Sequence, residues 1–123
     1  FLNDFELIPR EYNSQAGRNI LVSQGIYHNL IFDSYRKLYY RIVSHSQPLR
    51  NSTTNRINSA AIKPFSIIVL DDKLNYLGES TISNYQNYSY LNPAVSSEGI
   101  VFPVYDNDEN IVSFDIIKIN YEE

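Results

Sequence analysis

The chain has 123 residues, 43% of them hydrophobic, enough to build a core and too many for a disordered tail. Its formal net charge of -4 argues against the clustered basic face of a nucleic-acid binder and against a polybasic membrane-surface segment. It has no Cys, which removes disulfides, zinc thiolates and thiol nucleophiles, and no apolar run approaches the roughly 20 residues of a membrane-spanning helix.

The first residue is Phe1 rather than Met, and no secretory apolar region precedes Asn3. A leader already removed, or a cut from a longer chain, is the expectation. Residues 1–19 are mixed, and Pro9, Gly17 and Asn19 predict a break in any helical run. A short strand is expected around residues 5–8 and another at 20–22, closed by Gly25. From Tyr27 the pattern sharpens. Residues 30–32 form an apolar run ended by Asp33 and Ser34, and residues 38–43 (LYYRIV) return, which predicts a hairpin. Residues 44–63 are rich in Ser, Asn and Thr and read as a long loop ended by Pro64. FSIIVL, residues 65–70, is the strongest strand, with a turn at 71–75 and a partner strand at 76–81. A second loop spans 83–93. Residues 94–105 repeat the run-turn-strand layout, 106–110 form a polar turn, and 111–120 (IVSFDIIKIN) form the last strand. No window holds helical spacing without a Gly, Pro or Asn-rich break, so the expected class is all-β with helix close to nil.

An internal repeat supports that class. Residues 30–43 align with 92–105 without a gap: Leu38 falls on Ile100, Tyr40 on Phe102 and Ile42 on Val104. Residues 65–71 (FSIIVLD) are set over 114–120 (FDIIKIN), so that Phe65 falls on Phe114. The copies then differ only in loop length, as expected of units whose strands stay packed while loops run over the surface. The layout predicts antiparallel sheets making about two β-propeller-type blades. Residues 1–26 are a linker and a strand from a preceding blade, 27–82 a four-stranded unit, and 83–123 a final unit with three strands. Closed propellers often complete the last blade with a strand from the other end of the chain, here a segment before Phe1 or within 1–26. Phe32, Leu38, Ile42, Phe65, Ile67, Val69, Ile100, Phe102, Phe114 and Ile116 are the expected core.

The tract YHNLIFDSYRKLYYRIV (27–43), followed by KPFSIIVLDDKLNYLGE (63–79) and by EGIVFP with FDIIKIN (98–103 and 114–120), resembles the C-terminal third of a family of uncharacterised six-bladed-propeller-like envelope lipoproteins of gut bacteria. The resemblance implies a cell-envelope, extracytoplasmic and lipid-anchored location. It implies no activity.

Candidate chemistry is sparse. Tyr85, Asn87, Tyr88 and Tyr90 lie in an Asn-rich loop, where rings that stack and amides that bond hydroxyls or backbone suit a glycan or protein ligand. The competing reading is that these rings cover the edge between blades. His28 and His45 flank one hairpin and could share a metal, although two loop-bonded imidazoles are the commoner outcome. Residues 106–110 (DNDEN) start like a calcium loop, then place Ile111 and Ile117 where Gly and Glu are required. Asn51-Ser52-Thr53 and Asn87-Tyr88-Ser89 match the glycosylation triplet, which arises readily by chance in an Asn-rich chain. No nucleophile elbow or phosphate loop is present, and no cofactor is expected. The sequence points to a non-catalytic binding or scaffold module. The rivals are an enzyme whose polar groups converge near Asp33 and Ser96, and a purely structural domain. Two blades cannot close a ring, so open edges and apolar faces predict self-association, or coverage by residues 1–26.

Overall fold

The computed structural model describes residues 15–105 and 113–119. One helix, α1 (Gln15–Ser23), precedes seven strands: β1 (Ile26–Asp33), β2 (Leu38–Ser44), β3 (Phe65–Leu70), β4 (Tyr76–Thr81), β5 (Ala94–Ser96), β6 (Gly99–Val104) and β7 (Ser113–Ile117). They form two antiparallel sheets in chain order, β1-β2-β3-β4 and β5-β6-β7. The chain is therefore all-β, and the hairpins expected at 30–43, 65–81 and from residue 100 onward are present.

Strand alternation sets the core. Leu38, Tyr40, Ile42 and Ser44 lie on one face of β2 and are buried. Opposite them on β3 lie Val69, Ile67 and Phe65. Ile100 and Phe102 of β6 meet this face, and the rings of Tyr88 and Tyr90 join the same cluster. Phe65 sits 5.6 Å from Phe102 and 5.5 Å from Tyr90, ring centre to ring centre. At the other surface of the first sheet, Phe32 stacks on Tyr39 at 4.8 Å. Both outer faces keep apolar rows: Leu30, Phe32, Tyr39 and Leu70 on the first sheet, Val101, Pro103, Phe114 and Ile116 on the second.

Three expectations fail. The first concerns residues 15–23, which are helical, so the strand at 20–22 is overturned and helix content is not nil. Tertiary contacts override the local breakers. Gly17 and Val22 are buried. Asn19 accepts a bond from Gln15 Nε2 at 2.8 Å, and its carbonyl takes the Ser23 hydroxyl at 2.8 Å. The second concerns the core. Phe32, Phe114 and Ile116 are 44%, 57% and 43% exposed. Each has the parity of an outer face: Phe32 opposite Tyr39, Phe114 opposite Pro103, Ile116 opposite Val101. The third is the second block of the repeat. Ile42 pairs with Ile67, and Val104, its counterpart, pairs with Ser113. The alignment set Ile67 over Ile116, three residues further on. An odd offset moves every side chain to the other face.

Gly99 is needed where β5 turns into β6. Its φ is 157°, and a Cβ there would lie 2.3 Å from the Ile117 carbonyl oxygen of the neighbouring strand.

Candidate functional site

The end of β1 carries the densest polar cluster. Asp33 is fully buried, and its Oδ1 accepts the backbone N–H of Tyr35 at 2.9 Å and of Arg36 at 3.1 Å, which closes the β1–β2 turn. The turn ends at Lys37 with φ 57°. Oδ2 accepts from Tyr40 Oη at 2.5 Å and from the Arg36 guanidinium at 2.8 Å. Arg36 also donates to the carbonyls of Ser96 (3.2 Å) and Ser97 (2.8 Å) in the β5–β6 turn. Burial alone pushes the Asp33 carboxyl up, but the bonds from Tyr40 and Arg36 outweigh it and hold the carboxyl below its usual value. Burial, then the bond to Asp33, pushes the Tyr40 phenol up. Arg36 links Asp33 to the backbone of Ser96, while the Ser96 hydroxyl bonds the Gly99 carbonyl within its own turn. Every oxygen of Asp33 is already bonded, so the cluster is a clasp between the two sheets rather than a set of free catalytic groups.

The tyrosine loop is placed differently from a ligand rim. Tyr88 and Tyr90 are 6% and 3% exposed. Tyr88 Oη donates to Asp115 at 2.9 Å and accepts from Asn84 Nδ2 at 3.3 Å. Tyr90 Oη donates to the Ala60 carbonyl at 2.5 Å, and Tyr105 Oη to that of Ala61 at 3.3 Å. These bonds pin the 45–63 loop against the second unit. Tyr85 is half-buried against the core, and Asn87 is exposed with its carbonyl bonded to the Tyr105 N–H at 2.9 Å. The expectation of an exposed aromatic surface is thus corrected for Tyr88 and Tyr90. A phenol buries its ring at little cost when its hydroxyl finds a partner, and both do. Outward-facing groups in this loop are Asn84, Gln86, Asn87, Leu91 and Asn92.

A recess of about 690 Å³ opens beside β1, with Tyr90 and Ile42 at its base and Tyr27, His28, Arg41 and Asn92 among its walls. Burial, then the charge of Lys63, pushes the His28 imidazole below its usual range, so it is neutral at pH 7. His28 Nε2 bonds Ser44 Oγ at 3.0 Å, and its ring lies 5.1 Å from that of Tyr90. His45 instead bonds Ser66 Oγ at 2.6 Å. Among the described residues no group of three His, Cys, Asp or Glu could hold a metal, and the 106–110 turn lies outside them.

Sequence reading missed Lys63. It is fully buried, and its Nζ donates to the carbonyls of Leu21 at 3.0 Å and Gln24 at 2.5 Å. Leu21 lies in the last turn of α1 and Gln24 just past it, at the negative end of the helix dipole. Gln47 bonds the Val22 and Ser59 carbonyls beside it. Nothing in the sequence sets Lys63 apart from the other polar residues of the 44–63 loop.

Among the described residues no helix is long and apolar enough to cross a membrane. No curated protein matches the chain. A crystal structure of a DUF4221 family member from Bacteroides vulgatus is similar in fold, with a TM-score of 0.62 at 23% identity, covering 89% of this chain and 32% of that one. The chain thus spans about a third of that protein's length. The sequence profile of DUF4221, a domain of unknown function, matches residues 10–81, and the chain belongs to that family.

Proposed function

We propose that this chain is a non-catalytic scaffold and binding module of a bacterial envelope protein, and that its two sheets are neighbouring blades of a β-propeller. The observation that carries the reading is the apolar row on each outer face of the stacked sheets. A sheet that faces water on one side alternates apolar and polar residues, whereas one covered on both sides reads as a nearly continuous apolar run. LYYRIV, FSIIVL and GIVFPV are such runs. The first strands of the two sheets, β1 and β5, also approach each other, as inner strands of adjacent blades do. The bacterial source of the solved relative supports a bacterial setting, and the envelope location rests on the sequence resemblance. A glycan or peptide would be held in the recess beside β1, where Arg41 and Asn92 offer donors.

Light scattering on the 123-residue chain tests this reading. Uncovered outer faces make it associate as concentration rises. A monodisperse monomer at every concentration would remove the propeller-module reading.

A further inference from the structure

Of the described residues that line the recess beside β1, none is acidic, and Arg41 brings a positive charge to it. Arg41 is half-buried. Its Nη1 donates to the His28 carbonyl at 2.9 Å, and no carboxylate of the described residues forms an ion pair with it. The rest of its donor fork has no partner among the described residues. The charge of Lys63 is also felt here, since it helps to hold the His28 imidazole neutral. A partly desolvated guanidinium without an acid is an open place for an anion, and a carboxylate can take two of its N–H groups at once. Asn29 of β1 and Asn92, just before β5, are exposed in the same recess, and neither amide side chain has a partner among the described residues. Leu91 and Pro93 add an apolar wall. At about 690 Å³ the recess falls within the range of small-ligand sites, about 300–1,000 Å³.

We propose that the recess holds a sugar that carries a carboxylate, with the carboxylate on Arg41 and the ring hydroxyls on Asn29 and Asn92. The proposal rests on the reading that the recess binds a glycan or a peptide, and it decides between the two. An added peptide strand needs a regular row of main-chain donors and acceptors along the edge it joins. The register of β1 shifts between Tyr27 and Leu30, which leaves His28 and Asn29 together opposite Ile42. Such a bulge bends the strand and breaks the regularity of the row where the recess lies. Side chains therefore do the recognising. An amide donates from its nitrogen and accepts on its oxygen, which matches hydroxyls that do both. The C–H face of a sugar ring suits the wall of Leu91 and Pro93. Arg41 sets the sign of the ligand: a neutral sugar would cover the guanidinium and leave its charge unpaired, whereas an acidic sugar pairs it.

An NMR titration of the full chain with trigalacturonate tests this, with galactotriose as the neutral counterpart. Shift changes should gather at residues 28–30, 41 and 91–93. Trigalacturonate should bind at least about tenfold more tightly than galactotriose, and added salt should narrow the gap. Arg41→Gln should bring the two affinities together, and Arg41→Lys, which keeps the charge, should keep part of the preference. Arg41 also ties β2 to β1 through the His28 carbonyl, so a second variant guards against a folding defect. Asn92→Asp breaks no described side-chain bond, places an acid in the recess and should weaken trigalacturonate binding about tenfold. Equal affinities for the two sugars in the intact chain overturn the proposal and leave the glycan reading standing. N-acetyl-triglutamate bound at the same residues as tightly as trigalacturonate overturns it in favour of an acidic peptide. Acetate that alone gives the same shifts at the same concentration overturns it too, and leaves an adventitious ion only. Absence of binding by all four removes both the proposal and the ligand part of the proposed function, whose propeller part is read separately by light scattering.

Discussion

Lys63 shows how one side chain can fix an element it does not belong to. Its Nζ takes the place of water at the carbonyls of Leu21, in the last turn of α1, and of Gln24, just past it. Lys63→Met keeps the volume and leaves both carbonyls unbonded. The expected cost is about 2–3 kcal/mol in urea denaturation, with loss of the helical far-UV signal, since orphaned buried acceptors cost about 1–3 kcal/mol each. An unchanged helical signal would show that α1 docks without it. His28 gives a pH prediction. Burial, the larger cause, and the charge of Lys63 hold its folded pKa below the ordinary imidazole value of 6.5. Between those two values the unfolded chain binds more protons, so stability falls as pH drops through that window. Asp33 is depressed below 3.8, so its own contribution is lost only at more acid pH. His28→Gln should flatten the slope as pH falls below about 6.5, measured by urea midpoints. None of this was legible in the sequence. A buried Lys and a half-buried His read as ordinary loop and strand residues until their partners, remote in sequence, are known.

Strands were the legible elements. The β-branched and aromatic runs at 38–43 and 65–70, with turn residues between them, carry their own pairing instructions, and the hairpins follow. Faces were less legible, because an apolar run covered on both sides shows no alternation to read. That is why the alignment that set Phe65 over Phe114 put an exposed ring in the expected core. The two residues now separate experimentally. Phe65→Ala should cost about 3–5 kcal/mol, and Phe114→Ala less than about 1 kcal/mol in this chain, both from denaturant midpoints. Comparable losses would restore the original alignment. The helix was missed for the opposite reason. Gly17 and Asn19 are poor helix formers, and burial with the bonds from Lys63 and Gln47, remote in sequence, supports the helix at residues 15–23.

At the scale of the whole molecule, the two-sheet stack has a finished interior and apolar outer faces. If those faces drive association, Phe114→Thr combined with Ile116→Thr should shift the light-scattering profile toward monomer, while leaving the interior intact because both side chains point outward. No shift would place the association elsewhere. The clasp of Asp33, Arg36 and the Ser96 and Ser97 carbonyls has a kinetic consequence. Within each sheet neighbouring strands are consecutive in the chain, and β1 and β2 are joined by a turn of only four residues, 34–37. Arg36 reaches carbonyls 60 and 61 residues away. Closing the longer loop costs more entropy before it returns any bond, so the hairpins form first and the clasp shuts late on the folding route. Arg36→Ala should then hasten unfolding several-fold and barely slow refolding in a stopped-flow chevron, and the clasp acts as a latch on the lifetime of the folded chain rather than as a guide to its formation.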